Sequence, residues 1–125
     1  MTENEIANVI VDLCYKIHRQ YGPGLFESVY ERILCFELNK MGFSIKQQVP
    51  IPLIHEELMI NVAFRADLIV NEKVLVELKS VNVLPAAYYK QVVTYLKLTG
   101  LKLGLLVNFN VGLIKEGIHR IVNNL

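Results

Sequence analysis

Four charged residues sit where a strand hairpin is ordinarily apolar. In the stretch FRADLIVNEKVLVELKS (Phe64–Ser80), one arm carries Arg65 and Asp67 and the other carries Glu77 and Lys79. Asp, Glu and Lys are depleted from strands because they fit a half-buried pleated surface poorly. A three-residue turn, Asn71-Glu72-Lys73, pairs Val70 with Val74 and sets Asp67 opposite Glu77 and Arg65 opposite Lys79. Directly opposed residues share a face. All four charges then point one way, and Ala66, Leu68, Val70, Val74, Val76 and Leu78 point the other. A two- or four-residue turn would put the carboxylates on opposite faces. The three-residue turn is preferred because it leaves a clean apolar face, and the hydrophobic pattern sets register.

Two carboxylates directly opposed across a hairpin repel and need a cation. Lys79 supplies part of that charge, and a divalent metal would supply more. Mg²⁺ binds through one or two carboxylates, keeps several waters and takes up substrate phosphate. Asp…Glu-x-Lys thus reads as a site for Mg²⁺ or Mn²⁺ beside an ammonium. The competing reading is a salt-bridged quartet on a solvated sheet end, since ion-pair networks imitate active sites. The sequence leaves both open.

The elements that must hold these residues are legible from periodicity. Thr2 and Glu5 form a capping-box pattern ahead of Ile6, Val9, Ile10, Leu13 and Ile17, a helical face ended by Gly22-Pro23-Gly24. A second helix is expected over about Leu25 to Met41, burying Phe26, Val29, Ile33, Leu34 and Leu38, with Gly42 as its stop. Strands are expected near Lys46–His55, Leu58–Val70 and Val74–Ser80, then a third helix from about Leu84 to Thr99 and a buried strand in LKLGLLVNF. Ile114, Ile118, Ile121, Val122 and Leu125 suggest a short closing helix. The order α-α-β-β-β-α-β-α, with a helix crossing between strands, implies an α/β (α+β) protein whose mixed sheet is flanked by helices.

Composition narrows the function. The 125 residues are expected to form one domain, 1–125, and at 53% hydrophobic and 20% charged they support a packed core. A net charge of +1 gives no global field for nucleic acid, so phosphate binding must come from a local patch. Cys14 and Cys35, without a C-x-x-C spacing or a leader, read as buried reduced thiols of a cytoplasmic protein. Too few ligands exist for zinc or an iron–sulfur cluster. Charge interrupts every apolar run short of a membrane span.

Asp, a hairpin turn and Glu-x-Lys on the next strand resemble the signature of the PD-(D/E)xK nuclease superfamily, with Ala66 in place of the usual Pro before the Asp. GLFESVYE carries Gly24, Glu27 and Tyr30 in the spacing of its GxxExxY family. FRADLIV, VELKSV, QVVTYLKLTG and LGLLVNFN also look like that family's blocks, in the same order, from about Ile6 to Val122. The resemblance implies a restriction-endonuclease-like core. It also implies Asp67 and Glu77 as metal ligands, the Leu78 backbone carbonyl as a further one, and Glu27 as the acid completing the metal site. Lys79 would orient or deprotonate the attacking water, and Gln91 and Tyr95, at i and i+4, would line the site. The bland counterparts stay open: Tyr30 and Tyr95 as core aromatics, and Glu27 as a helix N-terminal charge. Lys16, His18, Arg19, Lys97 and Lys102 are phosphate contacts or ordinary helix-end charges, and His55 and His119 are structural.

The leading expectation is therefore a metal-dependent phosphodiesterase acting on DNA or RNA. At this size, dimerisation or a partner protein would have to supply length and specificity. The alternative is a non-catalytic nucleic-acid-binding or protein-interaction module that kept the fold. The four residues Glu27, Asp67, Glu77 and Lys79 weigh against it, because such a module need not keep mutually repelling carboxylates.

Overall fold

A computed structural model describes residues 1–125. The elements in chain order are helices α1 (Glu3–Tyr21) and α2 (Glu27–Lys40), strands β1 (Ile45–His55), β2 (Leu58–Val70) and β3 (Val74–Lys79), helix α3 (Ala86–Thr99), strand β4 (Leu103–Asn108), a 3₁₀ turn (Ile114–Gly117) and strand β5 (Ile118–Val122). The strands form one sheet in the order β1-β2-β3-β4-β5. Only β3 and β4 run parallel, and α3 is the crossover between them. This mixed sheet flanked by helices is the arrangement expected of a restriction-endonuclease-like core.

Alternation along β3 and β4 divides the apolar residues between two cores. Val74, Val76, Leu78, Leu103, Leu105 and Val107 join the main core with α1 and α2, while Leu75 and Leu106 face Val92 and Leu96 of α3. Both strands are therefore buried on both faces, which explains their almost unbroken Val/Leu content. Thr2 caps α1 with the full reciprocal box to Glu5. Cys14 and Cys35 are free and buried, and desolvation pushes their thiols up to about 12 and about 11, as befits inert core residues.

The hairpin turn is the three-residue one. Val70 pairs with Val74, Asn71 and Glu72 take left-handed backbone (φ 51° and 58°), and the Lys73 N–H closes onto the Val70 carbonyl at 3.0 Å. Three expectations are corrected. The closing helix is instead the 3₁₀ turn followed by β5, antiparallel to β4. Ile114, Ile118, Ile121 and Val122 fit a helical period, but the β4 edge needs backbone partners, and that tertiary demand outweighs local preference. Second, α2 starts at Glu27 and buries Tyr30, Leu34, Cys35 and Leu38, leaving Phe26 and Val29 exposed. Third, Ala66 packs in the α3-side core while Leu68 faces α1 and α2. Between them the β1–β2 ladder skips Gln48 and Asp67, where Gln48 has φ 48°, so the face changes at that break.

The end of β4 and the 3₁₀ turn before β5 also support the end of the hairpin. Buried Asn108 holds Val81 by two hydrogen bonds, from the Val81 N–H (3.1 Å) and to its carbonyl (2.9 Å), and so pins the chain just beyond Lys79. Gly117 lies against Asn108: a Cβ there would stand 2.1 Å from the Asn108 carbonyl oxygen. Gly117→Ala is expected to cost about 1–3 kcal/mol through overpacking. Gly112→Ala, where a Cβ meets nothing within 4 Å, is the control. Urea melts measure both, and equal midpoints for the two variants would contradict this packing.

Candidate active site

The site is where the sheet forks. β2 and β3 pair only from Leu68/Val76 to Val70/Val74; beyond that, β2 continues with β1 and β3 continues with β4. The fork strips backbone groups of ladder partners, and the two carboxylates replace them. The Asp67 N–H donates to Glu77 Oε1 at 3.0 Å, and the Leu78 N–H donates to Asp67 Oδ2 at 2.9 Å. Each acid thus holds the other's strand, as a reciprocal clasp.

Glu77 is only 5% exposed, a rare state for a glutamate unless it is paired. Burial, and after it the negative charge of Asp67, pushes its carboxyl up to about 8. The Asp67 N–H and the Lys79 charge act in the opposite direction, and Glu31 adds to the rise. No basic side chain neutralises the pair by contact. The ion pairs of the protein are Lys16–Glu37, Lys40–Glu37 and Lys46–Glu72. Lys79 instead places its Nζ over the Tyr88 ring, 4.3 Å from the centroid, and Arg65 is exposed on β2 opposite Pro50 of β1. The salt-bridged quartet is not formed.

α2 brings an acid that the sequence reading missed. Gln48 Nε2 donates to Glu31 Oε1 (2.9 Å) and to Asp67 Oδ1 (3.2 Å), and Gln47 Nε2 donates to Glu31 Oε2 (3.3 Å). Glu31 is pushed up by burial first, then by Asp67, with a smaller contribution from Glu27. Glu27 itself stands exposed at the first residue of α2. A signal did exist: Glu27 and Glu31 are i, i+4 on one helix face, a like-charge spacing that is unfavourable without a reason.

α3 supplies the opposite wall. Tyr95 stacks on Phe64 with centroids 3.5 Å apart and planes 6° from parallel. Burial, then Glu77 and Asp67, raise its phenol, so it shares the field of the carboxylate pair. Gln91, one turn earlier, is exposed. Tyr30 is a core aromatic stacked on Phe109 at 4.1 Å. His18 binds the Val111 carbonyl (2.8 Å), and His119 packs edge-on to Tyr89, both structural arrangements.

The donor set suits a hard divalent ion. No three of the acidic, histidine and cysteine side chains close up into a cage, so the available donors are the Asp67–Glu77 pair. No basic side chain pairs with either acid, and Mg²⁺ needs only one or two carboxylates with water completing its shell. A family model for the PD-(D/E)XK nuclease superfamily matches residues 4–121, and the chain belongs to that superfamily. No curated protein and no solved structure matches it. No helix is long and apolar enough to cross a membrane.

Glu77 makes metal-free stability pH-dependent with a definite sign. Folded, its carboxyl titrates at about 8; unfolded, near 4.5. Between those values the folded state binds the extra proton, so stability is expected to fall as pH rises from about 5 to 8, and to be unaffected by this group below that window. Glu77→Gln should flatten the fall. Thermal melts in EDTA across this range check it, and identical pH profiles for wild type and variant would contradict the buried-pair account.

Proposed function

We propose that this protein is a metal-dependent nuclease of the GxxExxY type, hydrolysing phosphodiester bonds of DNA or RNA. The observation that carries the reading is the Asp67–Glu77 clasp at the fork, left without a neutralising side chain. Asp67 and Glu77 are the proposed ligands for Mg²⁺ or Mn²⁺, with the Leu78 carbonyl beside them and Glu27 and Glu31 on the α2 side. A bound divalent ion supplies charge to polarise a phosphate and acidify a water. The backbone N–H groups of Asp67 and Leu78 fix one oxygen of each acid, which pre-orients the other oxygen.

Lys79 rests on Tyr88 in no ion pair, which supports assigning it to orient the attacking water and to meet negative charge developing on the phosphate. Tyr95 and Gln91 line the α3 side. A non-catalytic binding module would have no use for a buried glutamate set against a second carboxylate. The direct test is incubation with single- and double-stranded DNA and RNA in Mg²⁺, Mn²⁺ or EDTA. Metal-dependent cleavage that Asp67→Ala abolishes is expected, and loss of no activity in that variant would remove the proposed centre.

Two variants separate binding from chemistry. Metal at a hundredfold excess over Kd should stabilise the wild type by about 2.7 kcal/mol. Asp67→Asn should lose most of that gain while being neutral or mildly stabilising in EDTA, because one like charge is gone. Lys79→Met should keep the metal-induced shift in Tm and lower cleavage by roughly 10²-fold or more, the scale for one well-placed charge-stabilising donor. Cleavage near the wild-type level would make Lys79 a packing residue on Tyr88 only.

A further inference from the structure

Phe26 breaks two local rules at once. At 80% exposed it is the most exposed of the large apolar side chains. It also occupies the N-cap of α2, where it makes no side-chain cap, although Ser, Thr, Asp or Asn is the preferred residue there. Single exposed apolar residues are common on surfaces and need no explanation by themselves. Such rule-breaking gains meaning when it sits at a site and the backbone around it is held rigid.

Both conditions hold. The loop carrying Phe26 is tied down from two sides: the Tyr30 hydroxyl accepts the Leu25 N–H (3.2 Å) and donates to the Gly22 carbonyl, and the Ser80 hydroxyl donates to the Leu25 carbonyl at 3.0 Å. Tyr30 is in turn stacked on Phe109 in the core. The aromatic ring is therefore projected outward by a braced loop. It lines a cleft of about 490 Å³ together with Glu27, Ser28, Ser80 and Asn110. Ser80 directly follows Lys79, and Glu27 directly follows Phe26, so the cleft adjoins the carboxylate site along both segments.

We infer that Phe26 is a stacking platform for an unpaired nucleobase of the substrate, a proposal that rests on the nuclease reading. Every base offers a π-face, so an aromatic platform binds without a strongly positive field, which suits a protein of net charge +1. The hydroxyl and amide groups of Ser28, Ser80 and Asn110 provide hydrogen-bonding walls around one ring, which suits a polar heterocycle better than a lipid chain or an apolar protein face. Within a duplex both faces of a base are covered by its neighbours. Stacking on Phe26 therefore selects single strands, frayed ends or bulges.

The protein contains no Trp, so Phe26→Trp carries its sole indole and reports stacking directly. Labelled single-stranded DNA, single-stranded RNA and a blunt duplex are titrated in EDTA and in Ca²⁺, with anisotropy for affinity and indole emission for contact. Expected results are wild-type binding of single strands, a loss of roughly tenfold or more in Phe26→Ala, and retained affinity with quenched emission in Phe26→Trp. The DNA and RNA arms identify the sugar. Unchanged affinity in Phe26→Ala with unmoved emission in Phe26→Trp, while the wild type binds, overturns this inference alone. Equal quenching by the blunt duplex overturns the requirement for an unpaired base. A wild type that binds no nucleic acid under either condition overturns the nuclease reading as well.

Discussion

The reciprocal clasp between Asp67 and Glu77 is the interaction on which the site end of this molecule depends. A sheet that forks must account for every backbone group it unpairs, because a buried N–H without an acceptor costs as much as a lost hydrogen bond. Here the Asp67 and Leu78 N–H groups find carboxylate oxygens. The same bonds that let β2 and β3 part also bring two acids together, and burial of Glu77, then the Asp67 charge, push its carboxyl up to about 8. Structure and chemistry share the same atoms. Truncating either acid to a side chain with no acceptor would leave a backbone N–H at the fork without its partner.

The rest of the fold holds that fork between two packed layers. β3 and β4 are covered on one face by α1 and α2 and on the other by α3, so the fork grows out of a fully buried pair of strands. α2 and α3 then reach the fork from opposite faces, the first with Glu31 and the second with Tyr95 and Tyr88. Tyr88 has a particular consequence. By giving the Lys79 ammonium an aromatic face, worth about 0.5–1 kcal/mol at an exposed site, it offers the charge a resting place that is not a carboxylate. A salt bridge there would have neutralised the pair.

Much of this was legible in the chain because it is encoded locally. The hairpin register follows from the alternation of Leu68, Val70, Val74 and Val76 and from the turn Asn71-Glu72-Lys73, and the structure has that register. What stayed hidden is non-local. Glu31 is invisible without knowing that Gln48, with its left-handed backbone, bridges it to Asp67. Whether the ion-pair quartet forms turned on where Lys79 rests, which α3 decides through Tyr88. The closing segment misled because Ile114, Ile118 and Ile121 fit a helical spacing while the β4 edge required a strand. Phe26 and Val29 fit an apolar helical stripe, yet α2 begins one residue after Phe26 and turns Tyr30 inward.

The charge distribution imposes an order of events on the proposed reaction. Glu27, Glu31, Asp67 and Glu77 are gathered around one fork in a protein of net charge +1, with Lys79 as the nearby ammonium. A phosphodiester approaching that cluster meets repulsion at close range, and no global field offsets it at long range. A divalent ion seated on the Asp67–Glu77 pair would reverse the local sign and counter the burial, and after it the Asp67 charge, that raise Glu77. In the proposed reaction, metal binding and phosphate binding would then be positively coupled, each favouring the other by the same factor. In the proposed reaction, the acids that make the metal-free fork costly would also keep phosphate away from it until the ion is in place.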